Sequence, residues 1–314
     1  MNRDDNLLKY VAELYYNRGL SQQEIGTIIG ASRPTVSRIL ENAKNQGIVK
    51  ITVETTVSMN NKLSNKLRDA FGLKDAIVIR GNFDFDKSIE LCGKAVASIL
   101  PAYLQSGMSI GVSWGRSINS VVDAIEEDIY EGINVCQMVG CMSTGNPDNN
   151  GFSTAQRLAR KMHGNFSSIN TPLFIEGVEV YNYLINEPMV NDALIKSCNV
   201  DLCINGVGSA SDPKNSIYQS GYNDYYALDR YVDKGAVASF VGNYIDINGN
   251  RVDVDNIYNI TTPLSIIKQI PISILLSATE QKAEATIAVL NGNYANILVV
   301  DEPLAIKLLE TKEK

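Results

Sequence analysis

The chain has 314 residues, of which 45% are apolar and 20% charged, as in a folded globular protein. Its formal net charge of −7 argues at first against nucleic acid, because a DNA-binding surface must neutralise phosphates. No apolar run approaches the roughly 18 residues of a transmembrane helix, and the first residues lack signal-peptide features. We therefore expect a cytoplasmic protein with no membrane partner.

The cysteines and the single histidine argue against a metal site. No two cysteines have CxxC spacing, and His163 follows a helical pattern and precedes Gly164. We therefore expect reduced, mostly buried cysteines, a histidine that serves at a helix end, and neither a metal nor another cofactor. The five cysteines are Cys92, Cys136, Cys141, Cys198 and Cys203.

The charge is unevenly distributed along the chain. Residues 1–55 carry seven Lys/Arg and six Asp/Glu, a net charge of +1, which leaves −8 for the rest. The acidic excess therefore lies outside the N-terminal segment. This division is consistent with two domains, at 1–55 and at 56–314.

The N-terminal segment has the start and stop signals of three short helices. Residues 6–16 have apolar side chains at helical spacing. Ser21 and Glu24 then form a capping-box pattern, Gly30 ends the second helix, and Ser32 can cap the third. This spacing predicts a helix-turn-helix whose third helix is the recognition helix.

Polar side chains near the starts of the second and third helices are the predicted DNA contacts, because this region meets base edges and phosphates in helix-turn-helix proteins. Arg33 and Arg38 are the main candidates for guanine or phosphate contacts. The alternating run 47–53 predicts the strand of a wing. The alternative is a three-helix packing module with solvated arginines. The predicted contact residues are Ser21, Gln22, Ser32, Arg33, Thr35, Ser37, Arg38 and Lys50.

From about residue 75 onward, apolar runs alternate with amphipathic segments. This alternation predicts an α/β domain with a mostly parallel sheet and helices on both faces. The predicted strands are 76–80, 109–113, 134–139, 201–207, 272–276 and 297–300, with a further strand-like run at 238–246. The predicted helices are 89–104, 118–127, 155–163 and 280–290.

Ligands of such sheets bind beyond the carboxyl ends of the strands. Loops 111–117, 137–145 and 276–282 follow predicted strands and offer backbone N–H groups, hydroxyls or a cation to an anion. The run 238–246 ends in side chains that can orient sugar hydroxyls. For each, the alternative is a packing turn or a solvated side chain. The candidate effector-binding residues are Ser113, Trp114, Gly115, Arg116, Gln137, Gly140, Cys141, Ser143, Thr144, Asn243, Asp246 and Lys282.

Five separated blocks carry a family resemblance: LYY at 14–16, SQQEI at 21–25, SRPTVSR at 32–38, GVSWG at 111–115 and GNYANIL at 292–298. Through them the chain resembles SorC-family regulators, including the deoxyribonucleoside and sorbose operon regulators, over essentially its whole length. The resemblance implies a winged helix-turn-helix and a Rossmann-like body, related to sugar-phosphate isomerases and CoA transferases. It also implies a phosphorylated-sugar effector and a homodimer or homotetramer. With the helix-turn-helix pattern, it assigns 1–55 as the winged helix-turn-helix DNA-binding domain and 56–314 as the effector-binding and oligomerisation domain.

The chain departs from this family pattern near the predicted ligand. Relatives often have glycine where Cys141 stands, aspartate in place of Ser239, arginine in place of Asn243, and glycines at 277–278. Some carry a lysine in place of Val139 that can form an imine with an aldehyde. Val139 has no amine, so that chemistry is excluded at this position.

These features predict a sequence-specific DNA-binding regulator of a carbohydrate catabolic operon, controlled by a phosphorylated sugar bound in the C-terminal domain, and not an enzyme. The first alternative is a sugar-phosphate isomerase-like enzyme carrying a DNA-binding head. Such an enzyme needs a positioned acid and base, and the sequence shows no convincing set of a carboxylate and a histidine. The second is an architectural DNA-binding protein whose body serves only assembly.

Overall fold

The computed structural model describes residues 3–49, 57–126, 132–142, 151–213, 215–219 and 228–312. The chain divides into two compact units, Met1–Thr55 and Thr56–Lys314, called here the head and the body. None of the helices in the described ranges combines the length and the apolar character that crossing a bilayer requires.

The described part of the head folds as helices around a small apolar core. The helices are α1 (Arg3–Ala12), continued by a π turn at Glu13–Asn17, α2 (Gln22–Ile29) and α3 (Arg33–Asn45). One apolar stripe from each helix is buried at their junction, as the helical spacing predicts. The buried core side chains are Val11, Leu14, Ile25, Val36 and Leu40.

The turn between α2 and α3 is fixed by the predicted caps. The Ser21 N–H donates to the Glu24 carboxylate at 2.8 Å, and the Ser21 hydroxyl accepts from the Glu24 N–H at 3.3 Å, so the capping box is confirmed. Gly30 ends α2 with φ of +69°, a left-handed conformation that favours glycine. Ser32 then accepts from the Thr35 N–H and starts α3.

The predicted wing strand is only partly covered by the described residues. Residues 47–49 form a turn and a bend rather than a strand. Lys50 and the remaining residues of the predicted strand, 51–53, lie outside the described residues.

The body alternates strands and helices. Its strands are β1 (Asp75–Ile79), β2 (Ser109–Val112), β3 (Asn134–Gln137), β4 (Asn165–Ser167), β5 (Phe174–Glu176), β6 (Leu202–Ser209), β7 (Ala238–Phe240), β8 (Asn243–Ile245), β9 (Ile257–Asn259), β10 (Ile272–Ser277) and β11 (Ile297–Asp301). Its helices are α4 (Asn61–Phe71), α5 (Phe85–Ile99), α6 (Arg116–Ala124), α7 (Gly151–Lys161), α8 (Val178–Ile185), α9 (Pro188–Cys198), α10 (Ser216–Gln219), α11 (Asp229–Asp233), α12 (Leu264–Ile267), α13 (Ala283–Asn291) and α14 (Glu302–Lys312).

Most of these strands form one sheet. Its main path runs in the order β1, β11, β10, β6, β2, β3, β4, and every pair along this path is parallel. The C-terminal end of β6 also pairs with β7 in antiparallel orientation, and β7 forms an antiparallel hairpin with β8. A separate antiparallel pair joins β5 and β9. The predicted parallel α/β sheet is therefore confirmed.

Side chains of the central strands are buried alternately on the two faces of the sheet. In β11, Ile297 and Val299 pack into one apolar cluster, which includes side chains of α5, α6 and α7. Leu298 and Val300 pack into the other, which includes side chains of α13 and α14. Parallel strands covered on both faces read as continuous apolar runs, which is why they were recognisable in the sequence.

Several element boundaries differ from the sequence prediction by a few residues, and two of the differences have clear local reasons. The helix predicted at 89–104 ends as an α-helix at Ile99 and continues as one 3-10 turn, Leu100–Ala102, because Pro101 has no N–H to continue the ladder. The run 238–246, predicted as one strand-like segment, is the hairpin β7–β8. Val241 and Gly242 turn the chain with φ of +46° and +67°, the left-handed pair of a two-residue hairpin loop.

We expect Ile274→Ala, in the fully buried centre of β10, to lower the free energy of unfolding by about 2–5 kcal/mol, because it leaves a cavity in a packed core. The fluorescence of Trp114, the one tryptophan of the chain, reports unfolding of the body in a urea titration. The control is Ile306→Ala, whose side chain is 45% exposed; its expected effect is within about 0.5 kcal/mol. Equal losses in both variants would contradict the burial of β10.

Candidate functional site

The outer face of α3 is the candidate DNA interface. Ser32, Arg33, Ser37 and Arg38 are exposed on it, while Thr35 is half-buried. Their apolar neighbours in sequence pack into the core of the head, so the polar side chains of α3 are left on the outside. Ser21 is exposed and Gln22 half-buried at the start of α2. The described residues thus present a polar, arginine-bearing helix start, the geometry with which helix-turn-helix proteins meet DNA.

A cavity of about 80 Å³ lies at the carboxyl ends of β2, β6 and β10, and is called here the strand-end cavity. It takes this position because parallel strands all end at one edge of the sheet, where their loops meet. The predicted residues that line it are Ser113, Trp114, Gly115, Arg116 and Lys282. Its other lining residues are Phe85, Ser117, Gly206, Val207, Gly208, Asn215, Ser216, Ile217, Ser239, Val241, Gly242, Ser277 and Ala278.

The start of α6 opens onto the strand-end cavity. Gly115 is its N-cap with φ of +113°, a conformation that favours glycine, and no side chain caps the first turn. The first N–H groups of a helix lack partners within the helix and favour an anion. Gly206 allows β6 to pass close to the first turn of α6, because a Cβ at this position would lie 2.9 Å from Ser117 Oγ.

Arg116 lies at the mouth of this cavity. Its guanidinium is 4.2 Å from the centre of the Phe85 ring and 3.7 Å from a carboxylate oxygen of Asp86. The Asp86 side chain is 87% exposed, so this ion pair is weak. Arg116 is therefore oriented by a ring and remains available to a ligand anion.

Lys282 is the second cation of the cavity and is more deeply buried. Its side chain is 13% exposed, and its ammonium lies 3.9 Å from Asp212. Burial lowers the pKa of Lys282, Asp212 opposes this shift, and the nearby Arg116 guanidinium adds to it. Two like charges are thus brought together where an anion between them would be stabilised.

A second, larger cavity of about 850 Å³, the outer cavity, shares Phe85, Arg116 and Lys282 with the strand-end cavity. Carboxylates dominate its charged lining: Asp84, Asp86, Asp212, Glu280 and the buried Asp301. Asp301 accepts hydrogen bonds from the Thr279 and Leu304 N–H groups. The two cations therefore lie at the boundary between a small polar cavity and a larger acidic one.

Four other candidate residues do not line the strand-end cavity. Gln137 is buried and donates to the Val139 carbonyl, and Cys141 Sγ donates to the Ile169 carbonyl. Gly140 packs closely, since a Cβ there would lie 2.9 Å from Leu173 Cα. Asn243 is fully buried and donates to the Val241 carbonyl, within the β7–β8 turn.

The remaining candidates have local surroundings or lie outside the described residues. Asp246 accepts from the N–H groups of Asn248 and Asn250 and so closes a turn. Ser143 and Thr144 are among the residues that the structure does not describe. His163 follows the end of α7 with φ of +47°, and the three-residue groupings of His, Cys, Asp or Glu that a metal needs do not occur among the described residues.

Phe85, Asn215, Ser239 and Ser277 line the cavity but were not among the predicted site residues. Ser277 had a usable signal, since it directly follows the predicted strand 272–276 and lies in the predicted loop 276–282. Asn215 and Ser239 come from a loop and a hairpin whose approach to the cavity depends on tertiary packing. Among the described residues, no histidine or carboxylate lines the strand-end cavity itself.

Comparison with known proteins agrees with this architecture. A family model described as "Putative sugar-binding domain" matches residues 55–310. The chain belongs to this family. A second family model, the Crp-like helix-turn-helix domain, matches residues 7–62. The chain is therefore a DNA-binding transcriptional regulator with a sugar-binding domain.

Two relatives and one solved structure resemble this regulator over nearly its whole length. The uncharacterized transcriptional regulator YjhU of Escherichia coli K12 is 29% identical, covering 98% of this chain and 95% of its own. The transcriptional regulator LsrR of the same strain is 29% identical, covering 96% and 93%. The full-length sorbitol operon regulator SorC of Klebsiella pneumoniae has a TM-score of 0.72 at 23% identity, covering 98% and 100%. The resemblance to SorC-family regulators is confirmed, and the proteins named are regulators rather than enzymes.

We expect Arg38→Ala to weaken operator binding about tenfold, because an arginine contact to a guanine or a phosphate is lost. The measurement is fluorescence anisotropy with a DNA fragment selected by the protein from a random library, at several salt concentrations. For a phosphate contact, the salt slope falls by about one. The matched control is Arg18→Ala, an exposed arginine of the head outside α3. Equal effects of the two substitutions would contradict the assignment.

We expect inorganic phosphate to bind the cavity more weakly as pH rises, at pH values where the phosphate is already a dianion. A lysine with a lowered pKa loses its charge at a lower pH than an ordinary lysine, whose pKa is 10.5. Trp114 fluorescence measures the affinity. Lys282→Arg should remove this pH dependence, since arginine stays charged. An unchanged pH profile in Lys282→Arg would rule out this role of the amine.

Proposed function

We propose that this regulator binds a phosphorylated sugar in its body, with the phosphate between Arg116 and Lys282. This effector controls the affinity for the operator of a carbohydrate catabolic operon. One observation carries the proposal: two cations converge on one cavity at the strand ends. Lys282 has Asp212 only at 3.9 Å and Arg116 as a neighbouring like charge, so a phosphate between the two cations adds negative charge and strong hydrogen bonds where they are needed.

The sugar part of the effector finds polar partners in the same region. Ser113, Asn215, Ser239 and Ser277 are largely buried and line the cavity. Hydroxyls and amides both donate and accept hydrogen bonds, as sugar hydroxyls do. The cavity therefore suits a ligand with one anionic group and several hydroxyls.

The head of the regulator reads DNA through α3, and we propose that it does so within a homodimer or homotetramer. A helix-turn-helix reads a half-site, and a symmetric oligomer reads a palindromic operator. The regulator then has one state with high and one with low affinity for DNA. The effector shifts the balance between them only if it binds one state more tightly than the other. Ser21, Gln22, Ser32, Arg33, Thr35, Ser37, Arg38 and Lys50 are the proposed DNA contacts.

The alternatives have less support. An isomerase needs a positioned acid and base, and the described lining of the strand-end cavity offers a lysine and an arginine without a carboxylate or histidine. A purely architectural body has no use for two cations at one cavity. We therefore assign the cavity to sensing.

The proposal is tested by titrating the full chain with sugars and their phosphates while recording Trp114 fluorescence and affinity for the selected DNA. We expect at least one phosphorylated sugar to bind and to change DNA affinity. Lys282→Met should weaken that binding about 10- to 100-fold, because a charged hydrogen bond is removed from a buried site.

The matched control is Lys307→Met, which removes an exposed lysine of α14 and should leave effector binding unchanged. If no phosphorylated sugar binds, or if Lys282→Met binds as tightly as the wild type, the proposed site is wrong. If a sugar phosphate binds and DNA affinity stays constant, the regulatory part is wrong.

A further inference from the structure

The first described residues of the body, 57–60, are called here the edge segment and pair with the edge of β1 that faces away from β11. The Asn60 N–H donates to the Val78 carbonyl at 2.8 Å, and the Arg80 N–H donates to the Ser58 carbonyl at 2.9 Å. An antiparallel bridge joins the two segments between these bonds. Because the edge segment follows the head in sequence, its position on β1 sets where the chain enters the body.

Glu302, in the first turn of α14, connects the edge segment to the loop that follows β1. One of its carboxylate oxygens accepts from the Asn60 side-chain amide at 2.5 Å, and the other accepts from the Gly81 N–H at 2.8 Å. These hydrogen bonds from Gly81 and Asn60 lower the pKa of Glu302, so that it is an anion with two acceptor atoms at neutral pH. Asn60 is also held from its other side, because its side-chain oxygen caps α4 by accepting from the Leu63 N–H.

The loop held by Glu302 is a wall of the outer cavity. Residues 81–85, called here the cavity loop, lead from β1 into α5, and residues 82–85 line that cavity. Gly81 has φ of +114°, and a Cβ there would lie 2.7 Å from the Phe83 ring, so the chain folds closely over this glycine. At the other end of the loop, the Phe85 ring lies 4.2 Å from the Arg116 guanidinium. A ligand that binds Arg116 therefore acts on a loop whose start is bound to Glu302.

We propose that Glu302 is a positioning residue that couples occupancy of the effector site to the edge segment, and through it to the chain that leads to the head. This inference rests on the proposed function and deepens it, since it names how the ligand site reaches the DNA-binding part. A ligand that displaces the cavity loop displaces the Gly81 N–H, and Glu302 keeps both hydrogen bonds when Asn60 moves with it. The carboxylate thus favours joint movement of the two segments, as hydrogen-bonded networks between distant sites do.

The pattern of donors and acceptors provides a selective test. Glu302 offers two acceptor atoms to two N–H donors, whereas a glutamine of the same shape offers one acceptor and one donor group. Glu302→Gln therefore sets an NH₂ group against one of the two donors. Asn60→Asp keeps the oxygen that caps α4 but sets a second carboxylate against Glu302. In Asn60→Asp/Glu302→Gln the two side chains exchange donor and acceptor roles, and both hydrogen bonds can form again.

The experiment measures hydrogen–deuterium exchange of the full chain by mass spectrometry, without ligand and with inorganic phosphate as the probe. Without ligand, we expect each single variant to exchange about tenfold faster than the wild type, both in the cavity loop and at 57–64, because a hydrogen bond to a charged group is lost. The double variant should exchange at nearly the wild-type rate, which is the signature of a direct interaction in a double-mutant cycle.

Phosphate separates coupling from a merely structural contact. We expect phosphate to change exchange at 57–64 in the wild type and in the double variant, and to leave that segment unchanged in both single variants. Trp114 fluorescence should give the same phosphate affinity in all four proteins, since neither Asn60 nor Glu302 belongs to the described lining of the two cavities. The matched control is Glu310→Gln, an exposed carboxylate of α14, which should behave as the wild type throughout.

The outcomes separate this inference from the proposed function. If the single variants transmit the phosphate-induced change as the wild type does, or if the double variant fails to recover it, the inference is wrong. If phosphate binds the wild type and leaves 57–64 unchanged, the inference is wrong while the anion site stands. If phosphate does not bind the wild type, the anion site is wrong. Wild-type exchange rates in the ligand-free single variants would then still overturn the connection through Glu302.

Discussion

The body depends on burying both faces of one parallel sheet. The side chains of β10 and β11 alternate between two apolar clusters, and each cluster is closed by helices. A parallel sheet needs crossover connections, and these return the chain over one face or the other. All strands along the main path of the sheet therefore end at the same edge. The candidate effector site lies at that edge because the chain has to turn there, and turns leave polar backbone groups free for a ligand.

Several features of the candidate effector site are unfavourable for the stability of the fold. Lys282 is buried beside the like charge of Arg116, and burial lowers its pKa. Val241 and Thr279 line the two cavities with φ of +46° and +73°, unusual for side chains with a branched Cβ. Hydrogen bonds from the surroundings hold both turns: Thr261 donates to the Val241 carbonyl, and Asp301 accepts from Thr279. Strain and like charge at one place are typical of a region that is completed by a ligand.

The head is stabilised largely by contacts between residues that are close in sequence. Its capping box, its left-handed glycine and the Ser32 cap all involve residues at most a few positions apart. The apolar stripes of three helices then close a core of few side chains. Burial of the apolar stripe of α3 places the polar side chains of this helix on its exposed outer face. The polar surface of the head that we propose as the DNA interface thus follows from local sequence.

The amino-acid sequence by itself determined the features that depend on near neighbours: the caps at Ser21 and Ser32, the buried strands, and the loop that brings Ser113 to Arg116 to a strand end. Tertiary structure decided the rest. Gln137 also ends a strand, yet β3 lies on the far side of β2 from β6 and β10, and strand order cannot be read from sequence spacing. The β7–β8 hairpin escaped prediction because its turn begins with Val241, which long-range hydrogen bonds hold in a left-handed conformation. Phe85, Asn215 and Ser239 reach the cavity only when distant segments pack together, because packing is set by the whole core.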